Sequence, residues 1–165
     1  MFGHIKGAVI IVILVLILLT MKNIILGLFL TLSSAVFAQN WQSNFEDAKA
    51  LAVKENKNIV LVFSGSDWCA PCMKLDKNIW QSDDFKNESA ANWVLYKADF
   101  PKKKGNALSP EKKQQNDVLA EKYNSDGNFP LVVVLDKNGK VLGKTGFKNI
   151  SATDYIAFLH SLEKK

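Results

Sequence analysis

The 165-residue sequence predicts one α/β domain with a mixed four-stranded sheet covered on both faces by helices. Three observations predict this fold. A continuous apolar run at residues 58–65, NIVLVFSG, is typical of a strand that is buried on both faces. Helical and strand patterns alternate before and after this run, which favours parallel pairing of the strands. Two adjacent strand patterns near the end then add an antiparallel hairpin.

The first predicted helix begins near Trp41 and Phe45 and ends around Asn56, because apolar residues recur at helical spacing between them. The buried strand follows directly. The next helix starts in the segment SGSDWCAPCMKLD, where Pro71 stands in a first turn that tolerates proline. The segment SDDF, which begins at Ser82, then caps a short third helix.

The second half of the domain is predicted to contain three strands and two helices. A strand at residues 93–100 is followed by a polar, lysine-rich stretch at residues 101–113, which runs into a helix with Val118, Leu119 and Tyr123 as its apolar residues. The hairpin and the last helix complete the chain. The strands of the hairpin cover residues 131–135 and 140–144, and the turn between them covers residues 136–139. The last helix covers residues 151–162.

Lysine supplies every positive side chain, since the chain contains 21 lysines and no arginine. Arginine is the residue that binds phosphate and guanine through two parallel hydrogen bonds. Residues 39–165 contain 19 of the lysines and all 16 acids, so their net charge is only mildly positive. We therefore expect a solvated lysine surface and no nucleic-acid partner.

Residues 1–38 contain no acid and are predicted to be an export signal. Met21 and the lysine after it give a short positive start, an apolar core follows, and Val-Phe-Ala ends at Ala38 as cleavage sites do. We expect translation to start at Met21, cleavage after Ala38 and an exported domain at residues 39–165. The alternative is a retained membrane anchor, although residues 8–19 are only 12 apolar residues, short of the ~20 that span a bilayer.

Cys69 and Cys72 are the only cysteines, and they allow three interpretations. A purely structural disulfide closing so short a loop is worth only ~2 kcal/mol. A zinc site needs four ligands, and the two histidines, His4 and His160, lie far away in the sequence. A redox pair fits best, because free N–H groups and the helix dipole at a helix start lower the pKa of a thiol. Outside the cytosol its disulfide persists.

The two cysteines are expected to divide the redox work. Cys69, exposed at the tip of the helix, is the nucleophile that attacks a partner's disulfide. Cys72, one turn inside the helix and shielded, then resolves the mixed disulfide. We expect no metal and no cofactor.

The segment FSGSDWCAPC after an apolar strand resembles the active-site segment of the thioredoxin superfamily, W-C-x-P-C or W-C-x-x-C. The likeness continues through Asp99, the segment LAEKY at residues 119–123, Pro130 and Gly139, and covers most of residues 45–163. Around the cysteines, the sequence is most similar to exported thioredoxin-like proteins and to the C-terminal domain of membrane thiol:disulfide interchange proteins. The resemblance implies a thioredoxin-like fold.

The resemblance also implies roles for five residues near the cysteines. Trp68 shields the pair and shapes the docking surface, although an ordinary half-buried aromatic is an alternative interpretation. Pro130 is cis and packs beside the sulfurs, and Phe129 offers backbone groups to an incoming peptide. Ala70 and Pro71 complete the predicted substrate-binding residues.

Two features depart from the family. Many thioredoxins have a buried acid in the strand before the motif, whereas residues 59–63 are all apolar. We expect Asp67 to face solvent and Asp76 to lie on the helix surface, so that water carries the proton of the resolving cysteine. The stretch after Asp99 is longer than in a minimal thioredoxin, and we expect a solvated insertion there rather than a partner-docking loop.

The predicted activity is the reduction of protein disulfides. Neutral Ala70 and Pro71 between the cysteines favour a reducing potential, by analogy with C-x-P-C thioredoxins. Such a protein needs electrons, and we expect a membrane thiol-transfer protein as donor and a periplasmic or otherwise exported location. A disulfide oxidase or isomerase, and a non-catalytic binding module with the same fold, are the alternatives.

Overall fold

The computed structural model describes residues 40–164. The predicted export segment at residues 1–38 lies outside this part of the chain, so the start at Met21 and the cleavage after Ala38 stay predictions. None of the described helices is long and apolar enough to cross a membrane.

Strands and helices alternate along the described residues. The strands are β1 (Trp41–Gln42), β2 (Asn58–Ser64), β3 (Trp93–Asp99), β4 (Leu131–Leu135) and β5 (Val141–Thr145). The helices are α1 (Phe45–Glu55), α2 (Ala70–Leu75), α3 (Asp83–Asn92), α4 (Pro110–Tyr123) and α5 (Ala152–Glu163). A π-helical turn (Asp76–Trp80) continues α2, and a 3-10 turn (Lys104–Asn106) precedes α4.

One sheet holds these strands in the order β1-β3-β2-β4-β5. β1, β3 and β2 run parallel, whereas β4 is antiparallel to both of its neighbours, β2 and β5. The mixed sheet is confirmed, and it has one strand more than the predicted four. In the extra strand, Trp41 pairs with Leu95 of β3 instead of beginning the first helix. That helix begins at Phe45, because the side chain of Asn44 caps the free N–H groups of its first turn.

Strand β2 forms the centre of the core, as its apolar sequence predicts. Residues 59–63 are at most 1% exposed, and successive side chains enter opposite layers. Ile59, Leu61 and Phe63 pack in the layer that contains α1 and α4. The two valines between them pack in the layer that contains α2, α3 and α5. Helices therefore cover both faces of the sheet, as predicted.

One predicted apolar contact of α4 is wrong. Val118 is 56% exposed, and the helix buries Asn116 instead. The Asn116 amide donates to the backbone carbonyl of Asp99 at 2.9 Å and accepts from the Tyr96 hydroxyl at 3.0 Å. Because both polar ends of this buried amide have partners, α4 is joined firmly to the end of β3.

Candidate active site

The cysteine pair lies where β2 is followed by α2. β2 ends at Ser64 beside Asp99, the last residue of its parallel neighbour β3, so the segments after both strands meet at one edge of the sheet. Cys69 caps α2, because its sulfur accepts a hydrogen bond from the N–H of Cys72 at 3.3 Å. The helix starts where the sequence predicts, with Pro71 in its first turn.

A disulfide joins Cys69 and Cys72, whose Cα atoms are 5.2 Å apart. Only 5% of Cys69 and 3% of Cys72 is exposed. The predicted exposure of Cys69 is therefore wrong for the oxidised pair, because the bond holds its sulfur against that of the buried Cys72. Ala70 and Pro71 between them are exposed and form the tip of the site.

The Trp68 side chain is fixed beside the disulfide by three contacts. Its indole N–H donates to the carbonyl of Phe100 at 2.7 Å, its ring meets Phe129 edge-on at 5.4 Å between centroids, and the Lys102 ammonium lies 3.9 Å from its centroid. Gly65 leaves room for the indole, since a Cβ there would lie 2.3 Å from Trp68 Cε2. The only sign of this contact in the sequence is a glycine directly after the apolar strand.

A surface groove borders the cysteine pair on the β4 side. The Phe129–Pro130 peptide bond is cis, as the resemblance implies. Pro130 is buried and Phe129 half-buried, and both line the groove together with Pro71 and Phe147. Gly146, directly after β5, approaches closely, since a Cβ there would lie 3.2 Å from the carbonyl oxygen of Pro130. The predicted substrate-binding residues are thus brought together around Cys69.

Asp67 keeps part of its side chain exposed to solvent, as the sequence predicts, but its carboxylate also binds another segment of the chain. It is half-buried and accepts hydrogen bonds from the N–H groups of Lys102 and Lys103 at 2.9 and 3.0 Å, and from the Asn106 amide at 2.9 Å. These hydrogen bonds, that of Lys102 above all, hold the pKa of Asp67 below its usual range. The carboxylate therefore binds the loop after β3 to the active-site segment.

Asp76 is also more than a surface residue of the helix. Its carboxylate forms an ion pair with Lys97 at 2.7 Å and accepts from the Gln81 amide at 2.5 Å. Asp76, Lys97 and Cys72 line one open cleft of about 440 Å³. As the sequence predicts, strand β2 contributes no acid to this cleft. The residue of β2 that pairs with Lys97 of β3 is Val62. This cleft gives solvent a route to the resolving cysteine.

His160 lies at the opposite end of the sheet from the cysteines. Its ring nitrogens bind Glu88 and Glu163 at 2.8 and 2.7 Å, and Glu163 also accepts from Asn58 at the beginning of β2. Burial disfavours the charged ring, but the two carboxylates outweigh it and raise the pKa of His160. Among residues 40–164, no group of three or more His, Cys, Asp or Glu side chains is placed to hold a metal ion.

The sequence and the fold are similar to those of known proteins. A protein-family model described as thioredoxin-like matches residues 40–137. The chain is 34% identical over 124 residues to the disulfide bond reductase DsbH of Chlamydia pneumoniae, covering 75% of this chain and 72% of that protein. A solved DsbH oxidoreductase superposes with a TM-score of 0.71 and 32% identity, over 80% of this chain and 90% of that one. The reduced C-terminal domain of Neisseria meningitidis DsbD shares the fold, with a TM-score of 0.50 and 20% identity over 71% and 91% of the two chains.

Proposed function

This chain belongs to the thioredoxin-like family and is a thiol–disulfide oxidoreductase, and from that premise we propose that it reduces protein disulfides outside the cytosol. The observation that carries the proposal is the Cys69–Cys72 disulfide at the start of α2, beside a groove lined by Phe129 and Pro130. A module that only binds its partners has no need of two paired thiols next to the binding groove.

The proposed cycle begins with the reduced pair. The Cys69 thiolate attacks one sulfur of the partner's disulfide and forms a new S–S bond with it, while the partner's other sulfur leaves as a thiolate and takes up a proton. Cys69 is the proposed nucleophile because it caps α2, where the N–H of Cys72 points at its sulfur and stabilises the thiolate.

Cys72 then resolves the mixed disulfide. Its thiol gives its proton to solvent in the cleft, and the resulting thiolate attacks the sulfur of Cys69. The Cys69–Cys72 disulfide forms, and the partner leaves with its second sulfur as a thiol. Overall the partner gains two electrons and two protons, and the protein ends in the oxidised form.

We propose that five residues contact the partner during this exchange: Trp68, Ala70, Pro71, Phe129 and Pro130. Their support is position, since the exposed tip, the fixed indole and the groove all border the disulfide. An extended peptide in the groove would pair with backbone groups of Phe129, in the manner of a strand added to a sheet edge.

The reducing direction is supported by the residues between the cysteines and by the name of one relative, a disulfide bond reductase. Ala70 and Pro71 have no charged or donor side chain that would stabilise the thiolate further. We expect a potential near the ~−270 mV of thioredoxin and well below the ~−120 mV of a strong oxidant. Equilibration with glutathione redox buffers measures it. A midpoint above about −200 mV would favour the oxidase or isomerase alternatives.

Export and the electron donor complete the proposal. The pattern of residues 1–38 supports a cleaved signal, and sequencing of the mature protein tests it. A mature chain that begins before Ile24 would contradict cleavage after Ala38. A membrane thiol-transfer protein is the proposed donor, because a reductase outside the cytosol needs its electrons brought across the membrane.

The decisive experiment for the function is covalent trapping. A Cys72→Ala variant, expressed in the native envelope, should accumulate adducts that are linked through Cys69 and released by dithiothreitol. Mass spectrometry of these adducts identifies substrates and donor together. The matched control is the Cys69→Ala/Cys72→Ala double variant, which should capture nothing covalently. If the double variant retains the same partners, the non-catalytic binding module is the better account.

A further inference from the structure

Three consecutive residues before the cysteine pair bind the end of β3 and the loop that follows it. Ser66 donates from its N–H and its hydroxyl to the Asp99 carboxylate at 2.9 and 2.6 Å. Asp67 accepts from two loop N–H groups, and Trp68 donates to the Phe100 carbonyl. The loop is therefore held against the active-site segment, while its residues 102–107 stay exposed to solvent, as the sequence predicts.

The helix that begins at the cysteine pair and the loop held beside it carry exposed lysines. Five exposed lysines lie on α2, on its π-helical turn and on the loop, and are called here the lysine rim: Lys74, Lys77, Lys102, Lys103 and Lys104. Lys102 lies over the Trp68 ring, and Lys77 lines the same cleft as Cys72. Within residues 40–164, no side chain of the rim forms an ion pair.

The acids of the same surface already have partners. Asp67 is bound by the loop N–H groups, Asp76 by Lys97, and Asp99 by Ser66. An incoming partner therefore meets ammonium groups without an ion-pair partner on the elements next to the disulfide, whereas the neighbouring carboxylates are occupied.

The excess positive charge of the domain is concentrated at this site. Residues 64–80 and 97–109 contain six lysines and three acids. The remainder of residues 39–165 contains 13 lysines and 13 acids and is therefore neutral overall. A merely solubilising distribution would spread the lysines over the whole surface.

We propose that the lysine rim is a docking surface for an acidic segment of the protein whose disulfide is exchanged. This inference rests on the proposed function and names the class of its substrate. A protein partner is favoured over an anionic lipid because Lys77 lines the cleft that contains Cys72 and Lys102 lies over Trp68, next to the disulfide that a protein substrate must reach. Exposed charges of this kind act at a distance and raise the rate of encounter.

The test uses peptides with one internal disulfide, identical except for four flanking residues that are Glu, Ser or Lys. The rate constant for their reaction with the reduced protein is measured at 20 mM and at 1 M NaCl. At low salt the Glu peptide should react about tenfold faster than the Ser peptide, and the Lys peptide more slowly than both. At 1 M NaCl, where the screening length is about 3 Å, the three rates should converge.

Two variants with the same loss of charge locate the effect. K77S/K103S/K104S removes three rim lysines, and should reduce the Glu-to-Ser rate ratio to about twofold. K54S/K140S/K164S removes three exposed lysines near the beginning of β2, at the opposite end of the sheet, and should leave that ratio within twofold of wild type.

Each contrary result has a distinct meaning. Equal rates for the three peptides at low salt would overturn the docking inference and leave the proposed function intact, whereas no reaction with any peptide would overturn the proposed function. An equal loss in both triple variants would assign the effect to net charge and overturn the inference. Binding of the wild type, but not of the rim variant, to phosphatidylglycerol vesicles without peptide discrimination would assign the rim to lipid instead.

Discussion

Replacing Gly65 with alanine tests whether the position of Trp68 beside the cysteines is essential to the site. An ideal Cβ at residue 65 would lie 2.3 Å from Cε2, 2.5 Å from Nε1 and 2.6 Å from Cζ2 of the indole. Carbon atoms in proteins do not approach one another so closely, since favourable contacts begin near 3.5 Å. Either the indole or the backbone at the end of β2 must therefore move.

The cost of displacing the indole follows from its contacts. The hydrogen bond to the Phe100 carbonyl is worth ~0.5–1.5 kcal/mol, the edge contact with Phe129 ~0.5–1.5 kcal/mol, and the Lys102 ammonium over the ring ~0.5–1 kcal/mol at an exposed site. Relaxation of the backbone recovers part of this sum. We expect Gly65→Ala to lower the free energy of unfolding by about 1–3 kcal/mol and to slow formation of the mixed disulfide.

Denaturant unfolding of the oxidised protein measures the stability, and reaction of the reduced protein with a disulfide peptide measures the rate. Gly105→Ala is the matched control, because a Cβ there meets nothing within 4 Å, and it should change stability by less than about 0.5 kcal/mol. If Gly65→Ala matches the control in both stability and rate, the Trp68 contacts do not support the site.

Two further substitutions test contacts that do not involve the cysteines. Burial disfavours the charged ring of His160, but Glu88 and Glu163 raise its pKa. The charged ring therefore stabilises the fold fully below about pH 6.5, and this contribution is lost as the pH rises through the pKa of the folded state. His160→Gln should thus cost about 0.5–1 kcal/mol more at pH 5.5 than at pH 9 in unfolding experiments, and equal losses at both would contradict this. Asn116→Ala removes the side-chain donor to the Asp99 carbonyl and one partner of the Tyr96 hydroxyl, and should cost about 1–3 kcal/mol, whereas exposed Val118→Ala should cost less than about 0.5 kcal/mol. Equal unfolding midpoints for these two variants would refute the role of the amide.

The elements with a strong local pattern were predictable from the sequence. Strand β2 is a continuous apolar run, Ser82 caps α3 as expected, and α5 begins directly after Ser151, within one residue of the expected start. Strand β1 was not predictable, because two residues have no periodicity of their own and only the pairing of Trp41 with β3 makes them a strand. The burial of Asn116 was not predictable for a similar reason, since its hydrogen-bond partners Tyr96 and Asp99 lie on β3.

The sequence predicts the parts of the site that neighbouring residues form, but not the contacts between residues that are distant in the sequence. The positions of Cys69 and Cys72 follow from the strand–helix junction and their spacing. The partners of Asp67 lie 35 to 39 residues further along the chain, and Lys97, the partner of Asp76, lies on β3. Local pattern identifies such carboxylates as polar but does not identify what binds them.

The most direct test of the central claim is the pH dependence of alkylation of the reduced protein, with each modified cysteine identified by mass spectrometry. The N–H groups at the start of α2 should make Cys69 react first, with an apparent pKa below the ~8.5 of an unperturbed thiol. Reaction at Cys72 first, or a Cys69 thiol that ionises no more readily than free cysteine, would contradict its role as the nucleophile.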